Sequence, residues 1–232
     1  MQKSELKIAL VSLQKDAEKE PPMGLVYLAT YLRDRTGLSG NNLKIFDRNY
    51  FNIEEELKRF KPHILGISSM TINYQDSIEF AKKIKHEINI PIILGGVHIS
   101  TLPESFKTCF DVGVIGEGEI TLSELIELYL KKEKFVTEDL KKIKSVIYYD
   151  KDNIKKTLLR EPLELDSLPL PDFDFIHPDY FKKKEVSGLG TTAVNCYLLS
   201  SRGCPYRCKF CSTSRFWGKM RMHSPEYVAR IV

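Results

Sequence analysis

Five short, almost purely apolar runs punctuate the first 115 residues: Ile8 to Ser12, Leu43 to Asp47, Ile64 to Ser68, Ile92 to Leu94, and Val112 to Ile115. Unbroken apolar runs of this length, closed by polar or Gly positions, predict strands covered on both faces, the habit of parallel sheets. Between them apolar residues recur with helical period, as in Leu25, Leu28, Ala29 and Leu32, then Ile78, Ala81, Ile84 and Ile88, then Leu122, Leu125, Ile126 and Tyr129. Capping-box pairs at Asn52/Glu55, Thr101/Glu104 and Thr121/Glu124 mark predicted helix starts. The alternation predicts an α/β fold, a five-stranded parallel, Rossmann-like (flavodoxin-like) sheet. Such sheets bind ligands beyond the carboxyl ends of their strands, where the strand order reverses.

The remainder reads differently. A lysine-rich connection (131–144) precedes a hairpin of Ser145 to Asp150 and Lys155 to Arg160 around Lys151-Asp152-Asn153. Glu161 to Asp179 carries Pro162, Pro169, Pro171 and Pro178 among acidic residues and is expected to cross the surface extended. A strand from Ala193 to Ser200 is expected to feed a cysteine-rich loop, and Ser224-Pro225 to start a helix. One strand, one loop and a partial helix cannot bury a core. Three segments follow: a sheet domain (1–135), a hairpin and linker (136–188), and the incomplete start of a second domain (189–232), so that a fragment, a split gene product or a shortened form of a longer protein is expected.

Charge and composition narrow the classes. The net charge of +4 arises from 35 basic and 31 acidic residues in mixed patches, which suits a solvated surface and gives no reason to expect nucleic acid. No apolar run approaches the roughly 18 to 20 residues of a membrane span. The polar N-terminus has no signal-peptide core, so a cytoplasmic location is expected. Three of five cysteines are crowded together, which suits a reducing compartment and a metal better than disulfides.

Those three, Cys204, Cys208 and Cys211, form C-x3-C-x2-C. Thiolates select zinc, Cu(I) or iron-sulfur clusters. A structural zinc would need a fourth ligand, His223 or Cys196; three thiolates suit a [4Fe-4S] cluster with one iron open. Cys109, on a predicted helix, reads as an inert thiol.

Arg202-Gly203-Cys204-Pro205 with Phe210-Cys211 resembles the cluster loop that begins the radical SAM (βα) barrel. The resemblance implies that the three cysteines hold the [4Fe-4S] cluster, that its open iron binds S-adenosylmethionine, and that Phe210 lies near the adenine. It also implies an electron donor such as flavodoxin or ferredoxin.

A dinucleotide site is disfavoured, because Leu13 to Met23 has no glycine before Gly24 and Gly116-Glu117-Gly118-Glu119 lacks a third glycine. Instead Pro22-Met23-Gly24-Leu25, Gly66 to Thr71, Gly95-Gly96-Val97-His98 and the Gly116 turn together resemble the cobalamin-binding domain of cobalamin-dependent radical SAM enzymes. Ser68, Ser69, Met70, Thr71, Gly95, Gly96, His98, Gly116 and Glu117 are the implied cobalamin contacts. Glycines at 95 and 96 would let the backbone approach a bulky ligand. The D-x-H-x-x-G motif, whose histidine ligates cobalt, is absent, and His98 reads as structural. Glu117 and Glu119 are expected to cap the last helix or to meet the second domain.

The resemblance implies a methyltransferase acting on a small-molecule or natural-product-like substrate, with S-adenosylmethionine serving both as methyl donor and as radical source. The alternatives are a cyclase or rearrangement enzyme of the same branch, a non-catalytic cobalamin-binding module, and a zinc-site scaffold.

Overall fold

A computed structural model describes residues 2–15, 20–38, 40–182, 184–186 and 191–231. Residues 16–19, in the loop where the cobalt-binding motif is missing, lie outside the described residues, as do 189 and 190 at the expected start of the second domain.

The elements run β1 (Ile8–Ser12), α1 (Met23–Thr36), β2 (Leu43–Asp47), α2 (Ile53–Phe60), β3 (Ile64–Ser68), α3 (Tyr74–Glu87), β4 (Ile92–Gly95), α4 (Val97–Thr101), β5 (Val112–Val114), α5 (Glu119–Lys132), α6 (Thr137–Leu140), β6 (Val146–Asp150) and β7 (Asn153–Lys156). They form one sheet of order β2-β1-β3-β4-β5-β6-β7. The first five strands are parallel; β6 and β7 continue the sheet antiparallel. The hairpin is thus the sheet's far edge.

The apolar runs work as expected because each strand feeds two cores. In β1, Ile8 and Leu10 join α1 and α5, whereas Ala9 and Val11 join α2 and α3 on the opposite face. This two-residue alternation within a continuous apolar run defines a doubly covered strand. The order reverses at β1, which stands between β2 and β3, and places the crevice there.

Two expected helix starts are displaced. A helix precedes Thr101 and ends on it; a single 3-10 turn, Pro103–Ser105, follows. Thr121 lies inside α5, buried, its hydroxyl donating to the Lys144 carbonyl. A threonine three residues before a glutamate also arises within a helix when its hydroxyl serves a tertiary bond. Asn52 does precede α2, but its side chain bonds the Glu55 carboxylate and not the helix amides. Cys109 sits in a turn, not on a helix; it is half-buried, and burial raises its thiol pKa.

The acidic, proline-rich segment is not a free extended crossing. It folds into 3-10 turns at Leu165–Ser167, Phe173–Phe175 and Pro178–Phe181, and buries Leu165, Leu168, Ile176 and Tyr180. The Asp172 amide donates to the Thr30 hydroxyl at 2.9 Å and its carboxylate pairs with Arg33, which ties the segment to α1.

Beyond it come the short pair β8 (Lys184–Val186) and β9 (Thr191–Ala193), then β10 (Ser201–Arg202), α7 (Thr213–Trp217), β11 (Arg221–Met222) and α8 (Pro225–Ala229). The strand expected from Ala193 to Ser200 is corrected: residues 194–200 have no regular structure, because among the described residues no neighbouring strand receives their ladder. Helix α8 starts as expected, Ser224 Oγ accepting the Tyr227 amide at 3.1 Å with Pro225 at its first position.

Candidate functional site

At the carboxyl ends of β1 to β5 lies a cavity of about 450 Å³. Ser12, Asp47, Ser68 and Gly95 close β1, β2, β3 and β4, with Gln14, Asn49, Met70 and Gly96 just beyond them, and Gly116 to Glu119 follow β5. Gly24 and Leu28 close it from α1, and Leu199, Arg202, Phe216 and Trp217 from the cysteine-bearing segment.

Six expected contacts line the cavity: Ser68, Met70, Gly95, Gly96, Gly116 and Glu117. Three do not. Ser69 is fully buried and its hydroxyl is engaged by Asn73 and Ser77. Thr71 meets His98 Nδ1 at 3.1 Å, and His98 Nε2 meets Ser105 at 3.0 Å. With Tyr74 stacked on its ring and burial lowering its pKa, His98 is a neutral structural histidine, as its sequence context suggests.

The glycines differ in kind. A Cβ on Gly24 or Gly116 would meet nothing within 4 Å, and one on Gly95 only the Ile67 carbonyl at 4.0 Å. These backbones face open space, which is the cradle a large, flat cofactor requires. Gly96 instead packs on the Ser69 peptide. Asp47, missed in the sequence reading, is buried in the lining and accepts the Tyr180 hydroxyl at 3.0 Å. Its only sequence signal was a carboxylate ending an apolar strand.

Glu117 and Glu119 meet the cysteine-bearing segment. Arg202, 5% exposed, places Nη2 2.6 Å from Glu119 Oε1 and Nη1 3.4 Å from Glu117 Oε1. Arg221 also pairs with Glu117, whose other oxygen accepts the Leu163 amide at 3.0 Å. Pairing makes the burial of Glu119 and the near-burial of Glu117 tolerable. Arg202 further lies over the rings of Tyr27 and Trp217 at 5.6 and 5.2 Å.

All three loop cysteines are free thiols; Cys208 is exposed, and Cys204 and Cys211 are partly covered. Cys211 N donates to Cys208 O at 3.1 Å, and hydrogen bonding with Thr213 lowers the Cys211 thiol pKa. The donor chemistry fits a soft metal centre. Among the described residues, however, no three His, Cys, Asp or Glu side chains are gathered closely enough to hold a metal. Phe210 is 94% exposed. His223, the candidate fourth zinc ligand, is turned away onto Asp166 at 3.1 Å and stacked on Tyr227.

A reversed-order parallel sheet, its glycine-lined crevice roofed by a thiol-bearing loop, defines an α/β protein built to hold a large cofactor. The B12 binding domain family matches residues 10–126, and the chain belongs to that family. An uncharacterized methyltransferase of Pyrococcus horikoshii is 32% identical over 214 residues, 90% of this chain and 44% of that protein. The anaerobic magnesium-protoporphyrin IX monomethyl ester cyclase of Rubrivivax gelatinosus is 26% identical over 90% of this chain and 38% of its own. The solved structure of OxsB, a cobalamin-dependent S-adenosylmethionine radical enzyme with aqua-cobalamin and S-adenosylmethionine bound, matches with a TM-score of 0.73 at 22% identity, covering 98% of this chain and 31% of that one. The expected cobalamin-binding family is borne out, and the fold is similar to that of a cobalamin-dependent S-adenosylmethionine radical enzyme; the chain spans less than half the length of these relatives. Among the described residues no helix is long and apolar enough to cross a membrane.

Proposed function

We propose that this chain carries the cobalamin and cluster-loop portion of a radical SAM methyltransferase acting on a small molecule. One observation carries the reading: the cavity at the sheet's carboxyl end is lined both by the glycine turns of a B12 binding domain and by the segment that bears C-x3-C-x2-C. When bound, the cluster would supply an electron to S-adenosylmethionine and cobalamin would carry the methyl group. Cys204, Cys208 and Cys211 would hold the cluster, leaving one iron open. The Gly24, Gly95 and Gly116 backbones would accept the flat face of the cobalamin, and Ser12, Asn49 and Ser68 offer hydrogen bonds around it. Leu28, Leu199, Phe216 and Trp217 would exclude water between the two centres. A flavodoxin- or ferredoxin-like donor and a reducing cytoplasm fit the free thiols.

Methyl transfer is preferred over cyclisation because a relative matched at 32% identity is named a methyltransferase. Anaerobic titration with hydroxocobalamin, followed by visible absorption, tests the front site; saturable binding at one per chain supports it, and no spectral change counts against it.

A further inference from the structure

The cysteine loop leaves and rejoins the fold through a ribbon of two residues on each side. Ser201 pairs with Met222 and Arg202 with Arg221, antiparallel, so residues 203–220, with all three cysteines, hang between β10 and β11. Gly203 turns the chain out of the ribbon at φ +94°; a Cβ there would come 2.8 Å from the Lys219 carbonyl. The neck of the loop is therefore tightly closed.

That neck opposes itself electrostatically. Arg202 and Arg221 are cross-strand partners, and like charges directly opposite one another destabilise a strand pair. So short a ribbon has little hydrogen bonding to offset the repulsion. What reverses its sign is Glu117, which pairs with both arginines, while Glu119 takes the inner face of Arg202 and the Leu163 carbonyl accepts from Arg221 at 2.5 Å. Two cations and two carboxylates balance. Both carboxylates stand at the turn where β5 enters α5, on the wall of the cofactor cavity.

We propose that Glu117, Glu119, Arg202 and Arg221 form a positioning clasp that closes the neck of the cysteine loop only when it is seated on the cobalamin domain, and so sets the separation and orientation of cluster and cobalamin. The clasp rests on the cofactor reading above and goes beyond it. None of the four residues touches the reacting atoms; they act through the loop. The seat is stiffened by Arg202 lying between Tyr27 of α1 and Trp217 of α7, one ring from each partner.

The test compares the anaerobically reconstituted chain, loaded with hydroxocobalamin and reduced so that Co(II) and the cluster are both paramagnetic, with its Arg221→Met and Arg221→Lys variants. Pulsed dipolar EPR reads the distance between the two spins. The clasp predicts a single narrow distance in the parent chain and a broad distribution, or loss of the cluster with cobalamin binding retained, in Arg221→Met. Lysine keeps the charge but not the fork that reaches both Glu117 and Leu163, so Arg221→Lys should be intermediate. Should Arg221→Met fail to fold, broadening in Arg221→Lys carries the test. A narrow distance unchanged in both variants overturns the clasp alone. A parent chain that binds cobalamin but takes up no iron overturns the cluster reading, and the clasp with it.

Discussion

Gly96 presses its Cα against the Ser69 peptide, so closely that a Cβ would collide with the Ser69 carbonyl oxygen and stand 2.7 Å from its nitrogen. Its φ of +100° is also in the region that L side chains avoid. Gly96→Ala should therefore cost about 2 to 4 kcal/mol of stability, read as a lowered urea midpoint. Gly95→Ala meets nothing nearer than 4.0 Å and should fold at nearly parental stability while weakening cobalamin binding. Equal stability losses in the two variants would contradict this division.

Tyr180 fastens the acidic linker to the sheet. Its hydroxyl is buried, donates to Asp47 Oδ1 and accepts from Asn49 Nδ2 at 3.3 Å, and burial raises its pKa far above the ordinary range. Tyr180→Phe removes one of the donors to the buried Asp47 Oδ1, the Asn49 amide remaining at 3.0 Å, and should lower stability by about 1 to 2 kcal/mol in urea unfolding. An unchanged midpoint would return the linker to the loose crossing its composition suggests.

Burial lowers the His98 pKa, with Thr71, Ser105 and the Tyr74 ring around it and Glu104 opposing the shift from farther off. The unfolded chain then takes up the proton more readily than the folded one. The contribution of neutral His98 is complete above about pH 6.5 and is lost as the pH falls through the lowered folded-state value. His223 is lowered likewise by burial. Unfolding free energy measured from neutral pH downward should fall less steeply in His98→Gln than in the parent chain; equal slopes would refute the assignment.

What could be read in advance follows from how local each determinant is. The starts of all five parallel strands were legible, because a strand buried on both faces writes an unbroken apolar run. The caps at Thr101 and Thr121 misled, since the same short pattern serves a tertiary hydrogen bond at Thr121. Tyr180 was not legible at all: nothing near it in sequence announces the partner 133 residues away. The pairing of Glu119 with Arg202 spans 83 residues and that of Glu117 with Arg221 spans 104, so the carboxylates suggested a contact but not which cations would supply it. The cysteine spacing was fully visible, whereas the strand expected before it depended on neighbours that no local pattern encodes.

Cys208 is exposed on the loop, whereas Cys109 is half-buried in a turn with a thiol pKa raised by burial. Cys208→Ala should abolish iron retention after reconstitution, and Cys109→Ala should leave it unchanged. Equal loss in both would remove the ligand assignment.

Whether one chain holds both cofactors is read most directly by a stoichiometric count after anaerobic reconstitution with iron, sulfide and hydroxocobalamin. About four iron, about four sulfide and one cobalamin per chain are expected, with a brown absorption that dithionite bleaches. A colourless chain that carries one zinc and no sulfide would contradict this expectation.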